Sequence, residues 1–126
     1  MSLVHVLAII TTKPGRRAAV LSLFNANVPA VLAEDGCIAY EATIDSQNAG
    51  AAQTAFGPDT FVVVEKWSSL ETLAAHAKSA HMNAYGAAAK DMVADRAIHI
   101  LSPTSLIESS YTRSFVFDIS IPIKIA

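Results

Sequence analysis

Cysteine is nearly absent: Cys37 stands alone in 126 residues. A single thiol excludes an internal disulfide, and a reducing cytoplasm is the simplest setting for such a chain. Nothing close to Cys37 in sequence would lower its pKa, so it reads as a small packed residue. Charge is scarce as well. Only 16% of residues are charged, 9 basic against 11 acidic, and no basic run occurs, so the electrostatic footprint of a nucleic-acid binder is missing. Long apolar runs are missing too. Leu3 to Ile10 is interrupted by His5, lacks a basic lead-in and a cleavage site, and falls well short of the ~20 residues of a membrane span. It reads as a strand. Nor is there a Cys/His cluster at zinc spacing. What remains suffices for one domain with a real core. At 52% hydrophobic, such a chain either fills that core with alanine and small aliphatics or buries a further face against a partner.

The stretch from residue 60 to 85, TFVVVEKWSSLETLAAHAKSAHMNAY, organises the rest. Its first part is a strand, with Phe61, Val63, Glu65 and Trp67 on one face and Val62, Val64 and Lys66 on the other. Both faces are largely apolar, so both are expected to be covered. Glu65 then sits among Phe61, Val63 and Trp67, where a carboxylate must be paired, hydrogen-bonded or protonated; alternatively it reaches solvent or a lysine at the strand end. Ser68 to Glu71 fits a capping box, with Ser68 as N-cap and Glu71 reaching back. Leu70, Leu73, Ala74 and Ala77 form an apolar stripe at helical spacing, bordered by His76. His81 follows five residues later, about 140° away on a continuous helix. The two imidazoles are therefore a poor metal-ligand pair unless the helix breaks at Ser79-Ala80, with Met82 to Tyr85 starting a new one. A third ligand is also wanting, and no metal is expected.

The remaining elements follow in order. Leu3 to Thr11, apolar on both faces, is a central strand. Arg16 to about Glu34 is a helix, with Val20, Leu21, Phe24, Val28, Val31 and Leu32 on one side. Pro29 should kink or end a segment of it, and Gly36 supplies a left-handed exit. Cys37 to Asp45 is a strand carrying Tyr40. Ser46 to Asp59 is a loop in which Phe56 either lines a pocket or anchors the loop. Tyr85 to about Asp95 continues as helix, and Ala97 to Leu101 is a short strand. The order strand, helix, strand, strand, helix, strand suits an α+β, ferredoxin-like split βαβ sheet with helices on one face. Beyond this unit, residues 104–126 form an extension in which Phe115, Phe117, Ile119, Ile121, Ile123 and Ile125 alternate with other residues. That period predicts an extra C-terminal strand paired with a sheet edge of its own subunit or a partner.

Three segments together resemble the antibiotic biosynthesis monooxygenase domain, with bacterial quinol monooxygenases as the nearest branch: VPAVLAEDGCIAYEATID, FVVVEKWSSLETLAAHAKSAHMNAY and IHILSP. The similarity runs from about Val4 to Pro103, so residues 1–103 form the domain. The resemblance implies a ferredoxin-like subunit that dimerises sheet to sheet into an α/β barrel. It also implies oxygenation of a small quinol or polyphenolic aromatic by O₂ with no metal, flavin or haem. The haem-degrading branch uses an asparagine in its first strand, and Leu3 to Thr11 has none.

Triplet O₂ reacts slowly with closed-shell molecules, whereas an electron-rich phenolate can pass it one electron first. The protein must supply a base, an apolar pocket and exclusion of water. Histidine suits the base, so His76 or His81 takes that role, with Glu65 orienting it and Trp67 against the aromatic ring. Tyr40 or Tyr85 donates a hydrogen bond, and Phe56 and Met82 complete the substrate-binding set. The expected partners are the aromatic substrate, O₂ and a second copy in a homodimer or larger homo-oligomer, with neither nucleic acid nor membrane. Two other classes remain: a non-oxidative isomerase of a small hydroxyketone, and a ligand-binding dimer without turnover.

Overall fold

Alternation of apolar side chains decides the sheet, and a serine decides where the helical half breaks. In the computed structural model of the chain, which describes residues 2–105, the elements are β1 (Val4–Thr12), α1 (Arg17–Leu32), β2 (Cys37–Thr43), β3 (Thr60–Trp67), α2 (Leu70–Ala77), α3 (Ala80–Ala89) and β4 (Val93–Leu101). A 3-10 turn, Lys90–Met92, joins α3 to β4. The strand order is β2-β3-β1-β4, and every neighbouring pair is antiparallel. This is the ferredoxin-like α+β arrangement, with the second helix of the repeat split in two. β1 and β3 occupy the centre, as their apolar character requires.

One face of the sheet makes the core. Val4, Val6, Ala8 and Ile10 of β1 and Phe61, Val63 and Trp67 of β3 are buried, with Val20, Phe24 and Val31 of α1 packed among them. Phe24 stacks on Tyr40 at 5.1 Å between centroids and meets Phe61 and Tyr85 edge-on at 5.8 and 5.9 Å. The opposite face is not covered by any described residue. Leu7 and Val64, directly opposite each other, are 36% and 41% exposed, and Leu101 is 46% exposed. Burial of both faces, expected from composition, is therefore met on one side only. The helices reach one face, and β4 at the edge leaves Ile98 and Ile100 open as well.

Several local boundaries differ from those read in the sequence. α1 runs through Pro29 to Leu32 without ending there. The α2 cap is Ser69, not Ser68: Ser69 Oγ accepts from the Thr72 amide at 3.1 Å and Thr72 Oγ1 accepts from the Ser69 amide at 3.3 Å. Ser68 is still tied to the chain before it, its amide donating to the Gly36 carbonyl at 2.8 Å, so the helix starts one residue later and Thr72 replaces Glu71 in the box. α3 ends at Ala89, and β4 begins at Val93 rather than Ala97. Gly36 does take a left-handed φ of +82°, within the turn into β2. The alternating run from Phe115 to Ile125 lies outside the described residues. Among the described residues, no helix is long and apolar enough to cross a membrane.

Candidate active site

The break between α2 and α3 creates the site. Ser79 is extended (φ −67°, ψ 151°), and its hydroxyl accepts from the Met82 amide as the α3 N-cap. Serine at this position competes with continued helix by bonding locally. Ser79 Oγ also donates to the His76 carbonyl at 2.8 Å, clamping the end of α2 to the start of α3. The chain turns there, so His76 and His81 no longer diverge as they would on one helix. Both rings meet a single oxygen of Glu34: His76 Nδ1 lies 2.9 Å and His81 Nε2 2.6 Å from Glu34 Oε2.

Proton bookkeeping assigns the ring nitrogens. An ionised carboxylate only accepts, so both rings donate: His76 carries its proton on Nδ1 and His81 on Nε2. The Ser79 hydroxyl spends its one proton on the His76 carbonyl, and so it too accepts from His81 Nε2, at 3.3 Å. In the neutral rings, the lone pairs then reside on His76 Nε2 and His81 Nδ1.

His76 is buried, its ring 4.7 Å from the Trp67 indole and edge-on to Tyr40 at 5.4 Å. Trp67 has no exposed surface, and its Nε1 donates to Glu65 Oε1 at 2.9 Å. Burial pushes the Glu65 carboxyl up from its ordinary value, while the Trp67 N–H and the nearby His76 pull it back. Burial likewise raises the Tyr40 phenol well above its usual value, helped by the negative charge of Glu65, and raises the Tyr85 phenol. Both phenols therefore keep their protons at neutral pH. Tyr40 donates to Met82 Sδ at 3.9 Å, and the Asn27 amide reaches the same sulfur at 3.4 Å. Cys37 is raised by burial and by Glu34 and Glu65, which makes it a poor nucleophile.

The fold thus gathers His76, His81, Trp67, Glu65, Tyr40 and Met82 at one end of the sheet, with Tyr85 one ring away behind Phe24. Phe56 stands apart: it is 55% exposed and lines a groove of about 280 Å³ with Ile44, Asp45 and Val62, beyond the far end of β2. The carboxylate that reaches the imidazoles is Glu34, not Glu65. Glu34 lies 42 residues before His76, so no local spacing pairs them; its one signal was the E-D-G-C segment shared with the resembled domain. An open groove of about 390 Å³, lined by Glu34, Asp35, Glu71, Thr72, Ala75 and Ser79, borders the imidazole pair through Glu34 and Ser79.

A family model described as antibiotic biosynthesis monooxygenase matches residues 3–88. The chain belongs to the antibiotic biosynthesis monooxygenase family. Within that family it is 42% identical over 100 residues to the Escherichia coli K12 protein called "Probable quinol monooxygenase YgiN", covering 78% of this chain and 95% of the relative. Among solved structures, Rv0793 from Mycobacterium tuberculosis superposes with a TM-score of 0.68 at 26% identity, covering 82% of this chain and 97% of the other. PA3566 from Pseudomonas aeruginosa gives 0.69 at 21% identity, covering 83% and 97%. These two share the ferredoxin-like fold of this antibiotic biosynthesis monooxygenase domain.

Proposed function

We propose that the chain is a cytoplasmic, cofactor-independent monooxygenase acting on a quinol or a related polyphenol. The observation that carries this reading is the pair of imidazoles held on one oxygen of Glu34, a carboxylate that also lines an open groove. The name of the 42% identical relative supports it.

His81 is the more open of the two rings, its side chain 30% exposed against 6% for His76. Its Nδ1 holds the lone pair, so it removes a phenolic proton from the quinol. Glu34 stabilises the imidazolium that forms and fixes the ring. His76, wedged between Trp67 and Glu34, braces that carboxylate, and the Glu65–Trp67 bond braces the indole. Trp67 accordingly acts as a positioning residue. The quinol anion passes one electron to O₂, the semiquinone and superoxide combine into a C–O bond, and the peroxide loses water. Quinol plus O₂ balances to hydroxyquinone plus water, with one oxygen atom retained.

The isomerase alternative fits less well where its substrate is phosphorylated. The groove carries Glu34, Asp35 and Glu71, and Arg17 is engaged elsewhere with the Gly57 and Thr60 carbonyls. The bare sheet face around Leu7 and Val64 supports the homodimer, because an apolar surface of that kind is normally covered.

Oxygen uptake with a menadiol-like quinol, corrected for spontaneous oxidation, tests the activity. Wild-type protein should exceed background, and His81→Asn should lose roughly 10²-fold or more, the usual worth of a positioned base. Glu34→Gln should lower kcat with less change in KM. Wild-type uptake no higher than background would remove the monooxygenase reading and leave a binding dimer, and uptake above background that both variants keep would remove His81 and Glu34 from the mechanism.

A further inference from the structure

We propose that Glu34, His76 and His81 form a binding site for one divalent first-row transition ion of the zinc type, entered through the acidic groove. The ligand atoms Glu34 Oε2, His76 Nδ1 and His81 Nε2 all lie within 4.8 Å of one another. Two imidazoles and one carboxylate are a donor set such ions accept, and three protein ligands leave positions open for water. The spacing in sequence argued against this site twice, and the fold answers both objections. The Ser79 break turns the two rings toward each other, and Glu34 arrives from the end of α1 as the third ligand.

Two of the three ligand separations are already close to what an ion needs. Bonds of ~2.0 Å in a tetrahedral site set neighbouring ligand atoms about 3.3 Å apart, and the observed N···O separations are 2.9 and 2.6 Å. The ion replaces the two N–H protons now directed at Glu34 Oε2; the two N···O pairs open by a few tenths of an ångström, and the two imidazole nitrogens, within 4.8 Å of each other, settle about the ion. His81 and Glu34 are partly exposed and can give; His76 is fixed by the indole. The Ser79 hydroxyl, which now accepts from His81 Nε2 at 3.3 Å, gives up that bond when the ion takes the nitrogen and keeps its bond to the His76 carbonyl. Glu34, Asp35 and Glu71 line the approach, a field that draws cations and repels anions.

Occupancy has a chemical consequence that rests on the proposed oxygenase reading. A neutral imidazole has one N–H. When an ion takes His81 Nε2, the proton moves to Nδ1, the nitrogen assigned as the base. The ion therefore silences the base, and the acidic groove becomes a point of inhibition by free transition metal.

Binding is measured apart from activity. Metal-free full-length protein is titrated with zinc sulfate by calorimetry in a non-chelating buffer at neutral pH. One ion per chain is expected. His81→Asn and Glu34→Gln should each weaken binding by more than the roughly 10–100-fold that loss of an outer-shell partner costs, while His99→Asn on the outer sheet face leaves it unchanged. Imidazole ¹⁵N spectra of the wild type give an answer that needs no variant: zinc should move His76 Nδ1 and His81 Nε2. Equal affinity in wild type and His81→Asn, or zinc shifts at His5 or His99 instead, overturns the site. Zinc bound at these nitrogens with oxygen uptake unimpaired would leave the site standing and remove the assignment of His81 as base.

Discussion

Glu65 sits in apolar company beside Trp67, whereas Glu34 meets two imidazoles at the edge of an acidic groove. Glu65 is held by one indole N–H, and its raised pKa comes first from lost solvation. The folded chain thus keeps the Glu65 proton more tightly than the unfolded chain does. Stability from this group is complete below its ordinary value of 4.5 and is lost as pH rises through the raised value. Glu65→Gln keeps an oxygen that accepts from Trp67 Nε1 and removes the charge. Thermal melts of the variant and wild type should coincide near pH 4, with the variant melting higher by pH 7. A constant difference across that range would show that His76 and the Trp67 bond cancel the cost of burial. Glu65 was legible as a carboxylate in apolar surroundings because alternation along one strand is local. Glu34 was not, because its partners come from another helix pair.

Element boundaries turn on single hydrogen bonds. Gly36 joins α1 to β2 at φ +82°, and a Cβ there would lie 2.5 Å from Thr72 Cβ and 2.6 Å from Ser68 Oγ. The same turn positions Glu34 for the imidazoles and meets the α2 cap. Gly36→Ala should cost roughly 2–5 kcal/mol, adding ~1–2 for the left-handed backbone to ~1–3 for overpacking; denaturant melts measure it. The glycine exit, the helix break at Ser79 and the strand order of types were readable, since each depends on neighbours within a few residues. The exact cap was not. Ser68 and Ser69 are equivalent as sequence, and the choice fell to the Ser68 amide, which pairs with the Gly36 carbonyl across the fold. Pro29 shows the same limit: α1 continues through it, with Phe24 before it and Val31 after it both buried in the core.

For the whole molecule, the two-sided apolar character of β1 and β3 is the informative feature. The helices satisfy one face, and Leu7 and Val64 remain on the other. A second copy stacked on this face would cover them, as the proposed homodimer requires. Val64→Glu places a charge at the centre of that surface and should convert a dimer to monomer in sedimentation velocity, with the helical CD signal retained. A monomer in the wild type at the same concentration would remove the sheet-to-sheet dimer from the proposal.

Strand and helix types, their order and the ferredoxin-like class were determined by the sequence alone, because alternation and helical stripes are set by side chains within one segment. The family followed from motifs that survive as contiguous words. The tertiary structure alone decided that Glu34 rather than Glu65 meets the imidazoles, that His76 and His81 share one oxygen, and that Phe56 stands at the far end of the sheet. Those outcomes depend on where separate segments meet in space, and a contact across 42 residues leaves no periodic trace along the chain.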